Sequence, residues 1–248
     1  MLTVRYDWLG IRPGDRVLDF GCGGGRHCFE AMRRGAVAVA LDSDFKVLDE
    51  AAAWVRILLE QDKETAEAGG HGDLVAGDGV GLPFPGNCFD KVIAAEVLEH
   101  VPDDALVLAE LTRVLRPGGV MAVTVPRCYP EAVNWALSTE YHNVPGGHVR
   151  IYRHSQLLSR LRRAGLVPFG HHHAHALHSP YWWLRCALGL DSESNPVVKG
   201  YHRLLVWDIT ARSPLTRWPE AALNPVLGKS LVVYARKPPA PSVGQDNS

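Results

Sequence analysis

A short apolar run that ends in a cluster of glycines constrains this chain more than any other feature. Residues 16–20 (RVLDF) are typical of a buried strand, and residues 21–25 (GCGGG) follow directly. Residues 25–34 have the pattern of a short helix that ends at Gly35. A strand, a glycine turn and a helix in this order let backbone N–H groups approach a ligand closely. The segment therefore predicts a ligand site at residues 21–25.

Further apolar runs alternate with helix patterns through the first half of the chain. We expect the remaining strands of this half at residues 36–41, 74–76, 89–95 and 120–125. The helices between them have Asp44 and Asp103 as N-caps, and residues 61–72 are expected to form a loop. This alternation predicts an α/β fold: a Rossmann-like, doubly wound, mostly parallel sheet with helices on both faces.

The second half of the chain has a different pattern. Residues 126–152 are predicted to be irregular, 166–176 to form a strand, and 177–228 to form a helical insertion rich in Trp and His with two helices. A last strand is expected at 230–235. We therefore divide the chain into a Rossmann-like core (1–127), a segment with a sixth strand and a cap insertion (128–228), the last strand of the sheet (229–237) and a disordered tail (238–248).

Charge, hydropathy and cysteine content argue against several classes of protein. The formal net charge of −1 and the lack of a basic stripe give no reason to expect a nucleic-acid partner. No apolar run approaches the roughly 20 residues that a membrane span requires, so we expect no stable membrane insertion. The N-terminus does not resemble a signal peptide, and the five cysteines include no CxxC pair. These features predict a cytoplasmic location.

Three carboxylates follow strands of the predicted sheet, as does the glycine cluster. They are Asp42, Asp78 and Glu96. Sheets of this kind bind ligands at the carboxyl ends of their strands, so these groups are expected around one pocket. The dinucleotide fingerprint G-x-G-x-x-G fits poorly, because its third glycine would fall at Arg26.

The first half of the chain resembles the class I S-adenosylmethionine-dependent methyltransferases. Asp19, Gly21 and Gly23 match the D-x-G-x-G motif of that family after its first strand. LDSD, GDGVGLPFPGNCFDKVIAAEVLEHV and LRPGG follow in the family's order and spacing, so that the resemblance covers about residues 12–127. It implies that S-adenosylmethionine is the cofactor and that this motif binds it.

The same resemblance implies roles for individual cofactor-binding residues. Gly21 and Gly23 would flank the methionine part of the cofactor. Asp42 would hold the ribose hydroxyls, since a carboxylate can accept both hydrogen bonds. Asp78, together with the backbone of Gly79, would meet the adenine amino group.

The segment Glu96-Val97-Leu98-Glu99-His100 is the strongest candidate for the chemistry. In a helix Glu96, Glu99 and His100 would share one face and could bind a hard divalent cation such as Mg²⁺. The ExxEH pattern resembles two metal-dependent branches of the family, the ubiquinone-biosynthesis O-methyltransferases and the small-RNA 3′-end methyltransferases. These enzymes add a second histidine from a later loop, and His148 has a comparable place here.

Roles without a metal remain open for this segment. Glu96 could contact the cofactor, while Glu99, His100 and His148 could act in acid–base catalysis or in packing.

Histidines at 171, 172, 173 and 175 form a second feature, in which positions 171, 173 and 175 would share one face of a strand. We interpret this tract as polar pocket lining or surface rather than as a zinc site.

Aromatic residues of the insertion could form part of the acceptor site. A cap containing Trp could stack on a sugar or on an isoprenoid-like ring, or could be buried as a helical core. The residues concerned are Tyr181, Trp182, Trp183 and Trp207.

The leading hypothesis is O-methylation of a hydroxyl on a small molecule, a glycan or glycolipid, or a quinone-type lipid. N-methylation stays open, because the first half defines the methyl donor rather than the acceptor. The alternatives are a nicotinamide-dependent oxidoreductase on a related fold and a non-catalytic, methyltransferase-like binding protein.

Overall fold

A seven-stranded sheet organises the chain in the computed structural model, which describes residues 2–142, 146–211 and 213–240. The strands are β1 (Arg16–Phe20), β2 (Val37–Asp42), β3 (His71–Ala76), β4 (Phe89–Ala95), β5 (Leu115–Pro126), β6 (Val167–Ala174) and β7 (Ser230–Arg236). They lie in the order β3-β2-β1-β4-β5-β7-β6, and β7 is antiparallel to both of its neighbours. The predicted doubly wound, mostly parallel α/β sheet is confirmed.

The sheet reverses its direction of winding between β1 and β4. These strands are parallel neighbours, with Phe20 opposite Ala94. Chain order runs outward from β1 through β2 to β3, and outward on the other side from β4 to β5. Crevices for ligands form at such switch points, at the carboxyl ends of the strands. The glycine turn after β1 and the 96–100 segment after β4 therefore lie side by side.

Helices cover both faces of the sheet. They are α1 (Tyr6–Leu9), α2 (Arg26–Arg33), α3 (Phe45–Gln61), α4 (Lys63–Glu67), α5 (Asp104–Val114), α6 (Cys128–Leu137), α7 (Thr139–His142), α8 (His154–Arg163), α9 (His178–Leu188), α10 (Pro196–Ala211) and α11 (Pro214–Leu227). Both predicted N-caps are confirmed, since Asp44 accepts a hydrogen bond from the Lys46 amide and Asp103 from the Leu106 amide.

Two apolar clusters, one on each face, form the core. Successive strand residues point to opposite faces, so that Val92 packs with α5 and α8 whereas Ile93 packs with α1, α2 and α3. None of the helices in the described part of the chain has the length and apolar character that a membrane span requires.

Several predicted boundaries are wrong, for identifiable reasons. The segment expected to be a loop at 61–72 contains the polar helix α4, which Asp62 caps. Residues 126–152, expected to be irregular, contain α6 and α7. The pattern of α6 was missed because its buried positions include Glu131 and Asn134, which a search for apolar residues passes over.

The C-terminal predictions also need correction. The described part of 177–228 contains three α-helices rather than two, because Ser213 caps a new helix at Pro214. β5 begins at Leu115, so that Pro117-Gly118-Gly119 lies inside this strand instead of preceding it. Most of the predicted tail, residues 241–248, lies outside the described residues, and the division into segments at 127 and 228 stays a prediction.

A buried carboxylate joins three elements on one face of the sheet. Asp104, at the start of α5, is 2% exposed. It accepts from Arg150 at 2.9 Å, from Arg160 of α8 at 2.7 Å, and from the Tyr152 hydroxyl. This carboxylate therefore fixes the chain before α8 against α5.

We expect Asp104→Ala to lower the free energy of unfolding by about 3 kcal/mol, because the buried Tyr152 hydroxyl loses a hydrogen bond to a charged group and Arg150 and Arg160 lose the carboxylate that both contact. Glu193→Ala is the control, since Glu193 is 76% exposed and its pair with Arg185 should contribute less than about 1 kcal/mol. Denaturant unfolding of both variants measures the difference. Equal losses would show that the Asp104 cluster does not stabilise the fold.

Candidate active site

The turn after β1 has a backbone that only glycines adopt readily. Gly21, Gly23 and Gly25 have φ values of +64°, +51° and +75°. A Cβ atom on Gly21 would lie 2.4 Å from Cγ2 of Val97, so the turn can approach the segment after β4 only without a side chain there. Beside this contact is a cavity of about 350 Å³, whose lining includes Asp19, Gly21, Gly23 and Glu96.

Two aspartates hold the turn in place. Asp42, at the end of β2, accepts a hydrogen bond from the Gly23 amide at 3.0 Å through Oδ2, and from the Asp44 amide at 3.1 Å through Oδ1. Asp19 is buried and accepts from the Cys28 amide of α2 at 2.9 Å. Burial raises the pKa of Asp19 to about 7, against the effect of that hydrogen bond.

The end of β3 extends the same edge of the sheet. The Gly77 amide donates to the carbonyl of Asp42, which ties the two strand ends together. Asp78 accepts from the Val80 amide at 3.1 Å. A Cβ on Gly79 would lie 2.6 Å from the ring of Phe20, so this backbone is pressed against the end of β1.

These strand ends fit the expected cofactor. They combine a side-chain-free turn, a carboxylate with further lone pairs at Asp42, and close-packed backbone at Gly79, which together suit an amino acid joined to a nucleoside. Gly21, Gly23 and Asp42 would hold the methionine and ribose parts, and Asp78 with Gly79 the adenine. These individual contacts stay predictions.

The segment from Glu96 to His100 is a turn, and the helical face expected from sequence is wrong. Glu96 has a φ of +58°, and the His100 amide donates to the Val97 carbonyl. The Glu96 amide donates to the Thr124 carbonyl and also to Thr124 Oγ1, each at 3.0 Å. Thr124 Oγ1 donates back to Glu96 Oε1 at 2.8 Å. These bonds fasten Glu96 to the end of β5.

Three of the four predicted metal ligands come together beyond this turn. Glu99, His100 and His148 each offer one atom within 4.8 Å of the others, and Glu96 does not join them. Glu99 Oε1 is 3.9 Å from Nε2 of His100. Both carboxylate oxygens of Glu99 are buried and lack a hydrogen-bond partner within the described residues. Burial, together with the nearby charge of Glu96, raises the pKa of Glu99 well above its ordinary value.

Both imidazoles of this group are held through Nδ1. His100 Nδ1 lies 2.9 Å from the Gly146 carbonyl, which can only accept, so this nitrogen carries the proton. His148 Nδ1 lies 2.5 Å from Oε1 of Glu131. Although burial acts to raise the pKa of Glu131, the hydrogen bond from His148 helps to lower it below its ordinary value. Nε2 of each ring is thereby left as the atom that can ligate a cation.

Glu131 is a functional candidate that sequence reasoning missed. This carboxylate is 1% exposed and accepts hydrogen bonds from side chains of Asn134, Trp135, Tyr141 and His148. The sequence signal for it is the helical i, i+3, i+4 spacing of Glu131, Asn134 and Trp135, which lies in a segment predicted to be irregular. Glu131 fixes the position of His148 through a direct hydrogen bond.

An aromatic-walled cavity of about 290 Å³ opens beside the two histidines. Its lining includes His100, His148, Tyr141 and Trp182. The rings of Tyr141 and Trp182 are 5.9 Å apart, and the guanidinium of Arg185 lies over Trp182 at 5.5 Å. This wall presents aromatic faces to an acceptor next to the group at 99, 100 and 148.

The other aromatic residues of the insertion do not line this cavity. Trp183 donates to the Pro130 carbonyl at 3.1 Å and joins α9 to α6. Tyr181 is buried between α9 and α10, whereas Trp207 is 42% exposed. Trp182 therefore lies where it could stack on an acceptor, whereas Tyr181 is part of a helical core.

Two imidazoles and one carboxylate are a suitable donor set for a divalent cation. Among the described residues the Glu99 oxygens have no hydrogen-bond partner, and each histidine ring is oriented by an acceptor at Nδ1. A bound cation would use this arrangement. Imidazole ligands favour transition ions, whereas Mg²⁺ prefers oxygen. The residues present therefore fit Mn²⁺, Fe²⁺, Co²⁺ or Zn²⁺ better than the expected Mg²⁺.

Comparisons with known proteins show the family to which the chain belongs. The methyltransferase domain family matches residues 18–123. Ubiquinone biosynthesis O-methyltransferase of Ralstonia nicotianae is 33% identical over 176 residues, which cover 66% of this chain and 69% of that protein. Sterol 24-C-methyltransferase of Yarrowia lipolytica is 36% identical over 138 residues, covering 54% of this chain. The chain spans only about 31% of that second protein's length.

A solved structure extends the likeness of fold over almost the whole chain. An S-adenosylmethionine-dependent methyltransferase from Methanosarcina mazei has a TM-score of 0.63 at 15% identity, covering 96% of this chain and 100% of that one. The fold, the glycine turn and these relatives favour methyl transfer over the nicotinamide-dependent alternative. The chain belongs to the class I S-adenosylmethionine-dependent methyltransferases.

Proposed function

We propose that the chain transfers the methyl group of S-adenosylmethionine to a hydroxyl oxygen, with a divalent cation held by Glu99, His100 and His148. The observation that carries this proposal is that neither carboxylate oxygen of buried Glu99 has a hydrogen-bond partner among the described residues, while its Oε1 lies 3.9 Å from Nε2 of His100. Burying such oxygens without partners costs free energy, and a cation would compensate for it. Hydrogen bonds from both rings to acceptors are the outer shell that metal-binding histidines usually have.

The protein's own residues mainly bind and orient. The turn at 21–25 and Asp42 hold the cofactor, whose sulfonium supplies an already activated methyl group. Val97 of the 96–100 turn packs against Gly21. The cavity beside the glycine turn and the group of Glu99, His100 and His148 therefore both adjoin the 96–100 turn. Holding an acceptor in line in this way supplies much of the rate enhancement of a displacement reaction. The cation, when bound, would lower the pKa of the acceptor hydroxyl and orient its neighbouring oxygen.

The cavity beside Trp182 supports an acceptor that has a flat or apolar ring face and two adjacent oxygens. A catechol or quinone-type lipid head fits this description, and so does the face of a sugar in a glycan or glycolipid. The name of the Ralstonia relative supports the first class and supports oxygen as the methylated atom. All five cysteines are free thiols, which supports our placing the reaction in the cytoplasm.

We expect Asp42→Ala to weaken S-adenosylhomocysteine binding at least about tenfold, because a hydrogen bond to a charged group contributes roughly 1.5–3 kcal/mol. Isothermal titration calorimetry measures this change. Asp73→Ala, on exposed surface of β3, is the control and should bind like the parent. A folded Asp42→Ala protein with unchanged affinity would contradict the ribose-binding role.

Removing the cation or one of its histidines should abolish methyl transfer while leaving cofactor binding intact. The assay uses labelled S-adenosylmethionine with 3,4-dihydroxybenzoate as a catechol probe. Chelator treatment should stop transfer and added Mn²⁺ or Zn²⁺ should restore it, whereas His100→Ala and His148→Ala should stay inactive. Transfer that survives chelation would refute the cation and leave His100 as a base. An inert parent that binds S-adenosylhomocysteine would exclude catechols as acceptors.

Glu131→Gln should weaken cation binding by about 10–100-fold, the usual effect of losing the hydrogen-bond partner of a histidine ligand. Glu140→Gln, an exposed acid on α7, is the matched control. Equilibrium titration with Mn²⁺ gives both affinities without relying on turnover. If both variants bind like the parent, Glu131 has only a structural role.

A further inference from the structure

A second group of metal-binding side chains lies in the insertion, apart from the site described above. His175, His178 and Glu220 each offer one ligand atom within 4.8 Å of the others. Nδ1 of His175 is 3.9 Å from Oε1 of Glu220. The three residues come from the loop after β6, the first turn of α9 and the middle of α11. The fold assembles this group from residues separated by two helices.

Two atoms of the group are buried without a hydrogen-bond partner. They are Nδ1 of His178 and Oε1 of Glu220, and neither has a partner among the described residues. A buried polar atom without a partner costs free energy that a ligand can recover.

His175 is turned towards this group by its backbone and held there by a neighbour. β6 ends at Ala174, and His175 has a φ of +67°, which takes it out of the strand alternation expected from sequence. Its Nε2 lies 3.1 Å from Oγ1 of Thr3. A hydrogen bond on one ring nitrogen leaves the other, here Nδ1, to ligate.

The earlier histidines of the same tract lie elsewhere. His171 packs against His154, at 4.3 Å between ring centroids, and His172 stacks on Tyr234. The tract is therefore not one site. Only its last histidine joins the group with His178 and Glu220.

We infer that His175, His178 and Glu220 form a second metal site that takes zinc or a similar divalent transition ion. Two imidazoles and a carboxylate are a recurrent zinc set, with ligand atoms roughly 2.0–2.2 Å from the ion. Tetrahedral ligands at that distance lie roughly 3.3–3.6 Å apart, so the 3.9 Å separation between His175 and Glu220 would close only slightly, and the remaining separations, all within 4.8 Å, would close by about 1.5 Å at most.

Two members of the group, His175 and Glu220, line a cavity of about 360 Å³. Arg26, Asp208 and Arg217 also line this cavity, and Arg26 lines the cofactor cavity as well. The ion would connect the loop after β6 to α11, and so fasten the insertion to the sheet edge beside the cofactor turn. This inference does not depend on the proposed cation at Glu99.

The test uses zinc binding in the His100→Ala/His148→Ala background, which removes the other candidate site. We expect this protein to retain one zinc per chain after dialysis. Adding His178→Ala or the near-isosteric Glu220→Gln should weaken binding by more than about 100-fold, the upper limit for losing only an outer-shell partner. Thermal unfolding with and without zinc provides a second readout, because zinc should raise Tm in the background protein and not in the Glu220→Gln variant.

His171→Ala in the same background is the matched control for adventitious binding by the histidine tract. It should keep one zinc at the affinity of the background protein. The inference is overturned if Glu220→Gln and His178→Ala, both folded by circular dichroism, still bind zinc as the background does. It is equally overturned if His171→Ala loses as much zinc as they do.

Discussion

The close contact between Gly21 and Val97 is the constraint on which the rest of the site depends. Parallel pairing of β1 with β4 brings the ends of these strands together, and a side chain at position 21 would collide with Val97. The cofactor turn and the chemistry-bearing turn at 96–100 are thus two sides of one interface. An error in either strand register would separate the glycine turn from Glu99 and His100.

Buried carboxylates organise the regions that apolar packing leaves undefined. Asp19 supports the first turn of α2, Asp104 joins α5 to α8, and Glu131 gathers four donors from α6, α7 and the loop at His148. Each carboxylate has at least one hydrogen-bond or ion-pair partner, and Asp104 and Glu131 have several, as a buried charge requires. Glu99 differs because its oxygens have none among the described residues, and this contrast marks it for ligand binding.

The two clusters of histidine and glutamate share a composition but differ in support. At the first, both rings are fixed by acceptors, and the cluster adjoins an aromatic wall and the cofactor turn. At the second, Thr3 orients one ring and the cluster bridges separate helices of the insertion. The first arrangement suits handling of an acceptor, and the second suits holding the insertion in place.

The sequence by itself determined the doubly wound sheet, the glycine turn, the capping aspartates and the family. These depend on local periods and on short motifs whose residues are neighbours in the chain. The pairing of Glu99, His100 and His148 was also foreseen, though only through resemblance to relatives. Side-chain type and spacing carry this information without any knowledge of packing.

The tertiary structure alone decided the other contacts between polar residues. Glu96 is hydrogen-bonded to Thr124 instead of lying on a helical face, and Glu131 is hydrogen-bonded to His148. His175 lies beyond the end of its strand and close to Glu220. Each of these contacts joins residues between 17 and 45 positions apart. Local propensity does not predict such contacts. Their free energy comes from burying polar atoms and satisfying their hydrogen bonds, and these atoms become neighbours only after the sheet and its insertion have formed.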